Sequence, residues 1–148
     1  RILFSAAMDF ARSSFEDYKN LSPEIRYQIV FRNGKLIQML DGAYRGHHYF
    51  PNDDTIMASY LTFVNEETSE EFFKDCSYAI NTKEAAHLFI KNMERTVVIN
   101  KAHFRKMKPS SEEFVALLGL AIWSDSTSNI SAELAHLVNC NRAAIMED

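Results

Sequence analysis

An all-α fold with one small β element in mid-chain is what this sequence predicts, and three observations carry the prediction. Apolar residues recur at i, i+3, i+4 and i+7 in segment after segment. The 148 residues include only 4 Gly and 3 Pro, too few sharp-turn residues for a many-stranded sandwich. One stretch alone, "TIMASYLTFVN" at 55 to 65, is dense in strand formers, without clean alternation.

The first helix is expected over residues 2 to 14, where Ile2, Leu3, Ala6, Ala7 and Phe10 form one stripe. A link carrying Phe15, Tyr18 and Leu21 follows. The second helix starts from local chemistry: Ser22 can accept from an early helical N–H, Pro23 suits the first turn, and Glu24 complements the dipole. It should run to about Arg45. One apolar line holds Ile25, Ile29, Leu36, Leu40 and Tyr44, and another holds Tyr27, Val30, Phe31, Gly34 and Ile37. A helix apolar on two faces packs between others, so this one is expected to be central.

"GHHYFPNDD" should end that helix and leave His47 and His48 in a loop. One or two short strands follow within 55 to 65, then a short helix from Ser69. A long helix is expected from Thr82 to Met107, started by Asn81 with Glu84 and striped by Ala86, Phe89, Ile90, Met93 and Val97. After Pro109, Ser110 and Glu113 form a capping box. Phe114, Leu117, Leu118, Ala121 and Ile122 continue it in register, with Trp123 as a core-edge anchor. "SDSTSN" reads as a loop, and a last helix from about Ser131 carries Leu134, Leu137, Val138, Ala144 and Ile145.

Composition excludes several function classes. With 47% apolar and 24% charged residues the chain is an ordinary globular sequence, long enough to bury a core as one domain over residues 1–148. A net charge of −4 offers no electrostatic reason for direct nucleic-acid binding. No apolar run approaches the ~20 residues of a membrane span. Cys76 and Cys140 lack CxxC spacing, which suggests a reduced compartment and no zinc site. Asn129-Ile130-Ser131 is a formal glycosylation sequon without a secretory signal beside it. No GxGxxG, GK[ST], HExxH or GxSxG is present, so no enzyme is expected and no cofactor is implied. Glu84-x-x-His87 and Glu133-x-x-His136 have the spacing of di-iron bundles. However, the first two helices put no Glu on their apolar stripes, and two surface pairs explain the spacing better.

"DFARSSFEDYKNLSPEIRYQIVFRNGKLIQMLDGAYR" (9 to 45), with Tyr18-x-x-Leu21 and the closing Tyr44-Arg45, resembles the helix 3 to helix 5 signature of nuclear hormone receptor ligand-binding domains. "AYRGHHYF" is similar to the helix 5 exit of the group expanded in nematodes, and "KPSSEEFVALLGLAIWSD" (108 to 125) to the family's helix 8. The likeness extends from about helix 3 to helix 9. It implies a three-layer helical sandwich with a small β-hairpin, C-terminally truncated, from which helices 10 to 12 and the zinc-finger DNA-binding domain are absent. The chain opens at Arg1 without Met, which fits an excerpt of a longer protein.

What the resemblance implies is a module of a transcription factor in the nucleus. A small lipophilic ligand would occupy an apolar cavity, and a coactivator or corepressor helix would dock in a surface groove. By position, Arg45 would anchor the ligand's polar end, with Met39, Gly42, Leu3 and Ala7 facing the cavity. Judged alone, Arg45 reads equally as a helix C-terminal cap, and Met39 and Met93 as core filler. Arg12 would clamp the carboxyl end of the coregulator helix, with Ser13 as the other candidate for that position. Met8, Tyr27 and Phe31 would form the groove floor. Leu3 stands where some receptors carry a carboxylate partner for that arginine. The alternative is a ligand-independent interaction module whose cavity is filled by side chains. The dimerisation mode is left open, and a metal-binding bundle is the remote third reading.

Overall fold

The structure, a computed structural model, describes residues 2–75, 81–93, 97–124 and 131–147. Among these are eight α-helices and one two-stranded antiparallel hairpin, the all-α class expected. The chain divides into two compact units, Arg1–Gln38 with Pro109–Asp148, and Met39–Lys108. No described helix is long and apolar enough to cross a membrane.

The first unit contains α1 (Ile2–Ser14), α2 (Glu16–Asn20), the first part of α3 (Pro23–Tyr49), α7 (Ser111–Ile122) and α8 (Ala132–Glu147). The start of α3 is the one its local sequence dictates, with Ser22 Oγ accepting from the Ile25 N–H at 3.4 Å. Both faces of its first half are buried. Val30, Gly34 and Ile37 line a slot with Leu3, Phe4 and Ala7 of α1, which leaves essentially no free volume. On the other side Ile29 and Asn33 meet Ile122, Leu134 and Val138, and Asn33 Nδ2 donates to the Ile122 carbonyl at 2.9 Å. Within this unit α3 is therefore sandwiched, as its two apolar lines require.

At Gly34 the tip of the Phe4 ring lies where a Cβ would stand. Alanine there would regain about 1 kcal/mol of helix propensity while pushing only that ring tip aside. Gly34→Val has no such relief. It should lower the unfolding free energy by about 1–3 kcal/mol through overpacking, read by urea titration.

The segment expected to be a link forms the short helix α2, which buries Tyr18 to 1% exposure. Its hydroxyl donates to the Arg26 carbonyl at 3.0 Å, tying α2 to the first turn of α3. Trp123 is not at the core's edge. It is fully buried, edge-on to Phe15 (5.6 Å) and to Tyr18 (6.1 Å). The Ser110–Glu113 capping box opens α7, and Ser131 Oγ accepts from the Leu134 N–H at the start of α8.

The second unit contains the rest of α3, β1 (Thr55–Met57), β2 (Phe63–Asn65), α4 (Glu66–Phe73), α5 (Thr82–Met93) and α6 (Ile99–Met107). The β element falls in the stretch expected, with Ile56 opposite Val64. Two boundaries differ. α3 does not stop at Arg45 but runs through Gly46, His47 and His48 to Tyr49. Gly46 is buried, and a Cβ there would stand 3.7 Å from Met57 and Lys101 side-chain atoms, so burial against neighbours overrides its low helix propensity, and Pro51 supplies the stop. α4 begins three residues before Ser69, because Asn65 forms a capping box with Thr68.

The helix expected over 82 to 107 includes residues 94–96, which lie outside the described residues, as do Cys76, most of "SDSTSN" and Asn129-Ile130. On either side stand α5, with Asn81 Oδ1 accepting from the Lys83 and Glu84 N–H groups, and α6. α6 closes at Lys108 in the left-handed region (φ 49°), whose N–H bonds the Phe104 carbonyl at 2.8 Å.

Candidate functional site

The groove residues expected on α1 and α3 lie together in the first unit. The slot and the cleft described below give the directions: Leu3 and Ala7 meet Gly34 and Ile37, while Met8 and Arg12 meet Pro23 and Arg26. The two helices thus run antiparallel. Phe4, Met8 and Arg12 recur every four residues along α1 and share one face of it. On α3, Tyr27 and Phe31 form a matching ridge.

Both α3 rings face solvent, Tyr27 at 52% and Phe31 at 59% exposure. They stack at 5.5 Å with planes 19° apart, and Phe4 leans on Phe31 at 6.1 Å. One of α3's two expected apolar lines thus divides: Val30, Gly34 and Ile37 turn into the core, while Tyr27 and Phe31 remain outside. The three rings together form one apolar surface patch, unlike an isolated exposed Leu.

At the other end of these ridges is a cleft of about 200 Å³ lined by Met8, Asp9, Arg12, Tyr18, Pro23 and Arg26. Arg12 is exposed and donates to the Asp9 carboxylate at 2.8 Å. Ser13 spends its hydroxyl on the Phe10 carbonyl at 2.9 Å and carries no charge, so the cation at this spot is Arg12. Burial raises the Tyr18 phenol's pKa above its ordinary value, while the nearby Arg26 and Arg12 guanidiniums pull the other way. The site is therefore apolar at one end and cationic at the other.

Phe4 and Arg26 belong to this site but are missing from the sequence expectation. A signal for Phe4 existed, since it lies one turn before Met8 on the same stripe. Arg26 had none, because all its neighbours in the cleft except Pro23 come from two other helices.

The residues expected to face a ligand divide between the units. Leu3 and Ala7 line the filled slot against α3 in the first. In the second, Gly42 is buried, where a Cβ would stand 3.6 Å from the Met57 carbonyl oxygen of β1, and Met39 is half-buried. Arg45 lies inside α3, not at its end, which removes the C-terminal-cap reading. Its Nε donates to Asp41 Oδ1 at 2.9 Å, Nη2 bonds the other Asp41 oxygen, and Nη1 donates to the Tyr60 carbonyl at 2.7 Å. The guanidinium also lies 4.4 Å over the Tyr60 ring. Arg45 thus straps the β1–β2 turn to α3.

A larger cleft in the second unit, about 480 Å³, is lined by Asp53, Asp54, Ile56, Glu66, His87, Ile90 and Lys91. It is mainly charged, unlike the apolar cavity expected, and its described lining includes none of the expected ligand contacts. Beside it Lys101 is fully buried and donates to the Thr55 carbonyl at 2.9 Å and to Asn52. Burial lowers its pKa, with Asp53 opposing.

Glu84 and His87 are exposed on α5, and Glu133 and His136 are exposed on α8. Among the described residues no three metal-ligating side chains converge.

Residues 2–148 match a family described as the ligand-binding domain of nuclear hormone receptor. Comparison with curated proteins and with solved structures gave no match.

Proposed function

The chain belongs to the family of nuclear hormone receptor ligand-binding domains, and from that premise we propose that it regulates transcription in the nucleus by docking an amphipathic coactivator or corepressor helix. The groove is made by Met8, Arg12, Tyr27 and Phe31, with Phe4 extending its apolar end. One observation carries this: two aromatic rings stacked on each other yet more than half exposed, beside a cleft whose rim is cationic. Apolar rings anchor the partner's apolar face, and the cationic end favours the negative end of its helix dipole.

The test is NMR shift mapping of the 15N-labelled chain with a Leu-rich amphipathic helical peptide. Perturbations should cluster on residues 4–12 and 26–31. A peptide that binds while shifting only α4 and α5 overturns the assignment.

For the small lipophilic ligand associated with the family, Leu3, Ala7, Met39, Gly42 and Arg45 are the proposed contacts. The polar end of such a ligand would have to replace Asp41 on the Arg45 fork. The occupied donors of Arg45 support the other form of the proposal, docking without a ligand. Membership of the nematode-expanded group rests on "AYRGHHYF" and is part of the same proposal.

A further inference from the structure

The cleft at the cationic end of the groove is unevenly charged. Its lining holds two guanidiniums, Arg12 and Arg26, against one carboxylate, Asp9, and Asp9 already bonds Arg12. Among the described residues Arg26 has no carboxylate within ion-pair distance. It is half-buried, so water screens it less than it screens Arg12. Its backbone is also tied to α2. Its own carbonyl takes the Tyr18 hydroxyl bond, and Tyr18 is fixed edge-on to the buried Trp123.

A partner helix lying between the Tyr27–Phe31 ridge and Met8 would pass this cation, which shares its cleft with Met8. Phe31 and Arg26 are five residues apart on α3, about 7.5 Å along its axis. A docked helix covers a similar distance, about 6 Å, in one turn of four residues. Resting on the docking reading above, we propose that Arg26 is the specificity-determining cation of the groove. Its guanidinium receives an Asp or Glu carboxylate that the partner helix carries one turn beyond its apolar anchor. The carboxylate lies on the C-terminal side of that anchor, because the negative end of the partner's dipole is drawn to the same cleft. The planar guanidinium can hold both carboxylate oxygens at once, which an amide at that position cannot match. The occupant is thus an amphipathic helix acidic at its C-terminal end, and neutral helices with the same apolar face bind less well.

The test uses two helical peptides identical except for Glu or Gln one turn after the apolar anchor. Each is titrated against the full 148-residue chain and its Arg26→Gln, Arg26→Lys and Arg12→Gln variants by fluorescence anisotropy. The Glu peptide should bind the native chain about 10-fold more tightly than the Gln peptide. That ratio should fall to about one in Arg26→Gln, take an intermediate value in Arg26→Lys, and persist in Arg12→Gln. A ratio of one on the native chain, or a ratio retained in Arg26→Gln and lost in Arg12→Gln, overturns the role of Arg26 while the groove stands. Failure of both peptides to bind the folded native chain overturns the groove and the inference together.

Discussion

Trp123→Ala should lower the unfolding free energy by about 3–5 kcal/mol, the range for deleting a fully buried aromatic side chain. The indole has no exposed surface and holds two rings edge-on, Phe15 and Tyr18. Each edge-to-face pair is worth about 0.5–1.5 kcal/mol beyond the area it buries, so two are lost with the side chain. The effect should reach the proposed groove as well. Tyr18 ties α2 to the Arg26 carbonyl, and without Trp123 behind it that tether loosens.

Trp123→Phe separates packing from polarity. Among the described residues the buried indole Nε1 has no hydrogen-bond partner, and an unsatisfied buried donor costs about 1–3 kcal/mol. Phenylalanine removes that cost and keeps part of the contact, so its loss should be well below that of alanine. Urea unfolding followed by far-UV circular dichroism reads both variants. If the Ala variant unfolds within about 1 kcal/mol of the native chain, Trp123 is not the anchor of the first unit's core.

Phe31→Glu should weaken binding of an amphipathic helical peptide about 100-fold while leaving the fold intact. The ring is 59% exposed, so the fold loses little with it, and Glu is a better helix former than Phe. The loss appears only on binding. A charged carboxylate would replace the centre of the aromatic ladder, and interface anchors of this kind are worth about 2–4 kcal/mol. Phe31→Leu, which keeps an apolar anchor without the stacking on Tyr27, should lose only a few-fold. Anisotropy titration measures the affinities, and circular dichroism confirms helix content. An undiminished affinity in a folded Phe31→Glu chain would remove the groove assignment.

The candidate site was legible in the sequence in part, and its limits have a physical cause. Met8, Arg12, Tyr27 and Phe31 were named on the strength of a family likeness. Helical spacing then explains why each pair shares a ridge. The same spacing assigned Tyr27 and Phe31 to one line with Val30 and Gly34. Periodicity cannot say where a stripe turns from core to surface, because that depends on what lies across from it. Arg26 is the sharper case. In sequence it is one cation among 16 Lys and Arg residues. It joins the site only because α1 brings Met8 and Arg12 to it and α2 brings Tyr18.

By itself the sequence determined the helical class, the place of the strands within 55 to 65, and the helix starts at Ser22, Asn81, Ser110 and Ser131. The helix starts are set by residues three or four apart, and the interactions that decide them are complete within one turn. Tertiary structure alone decided that α3 continues through Gly46, because Met57 and Lys101 bury that glycine. It also decided that Arg45 is a strap between α3 and the hairpin turn, because Asp41 and the Tyr60 carbonyl take its donors. Trp123 became the centre of a core, with Phe15 and Tyr18 packed edge-on from more than a hundred residues away in sequence. Contacts of that kind leave no trace in local spacing, since their free energy depends on which distant surfaces the chain brings together.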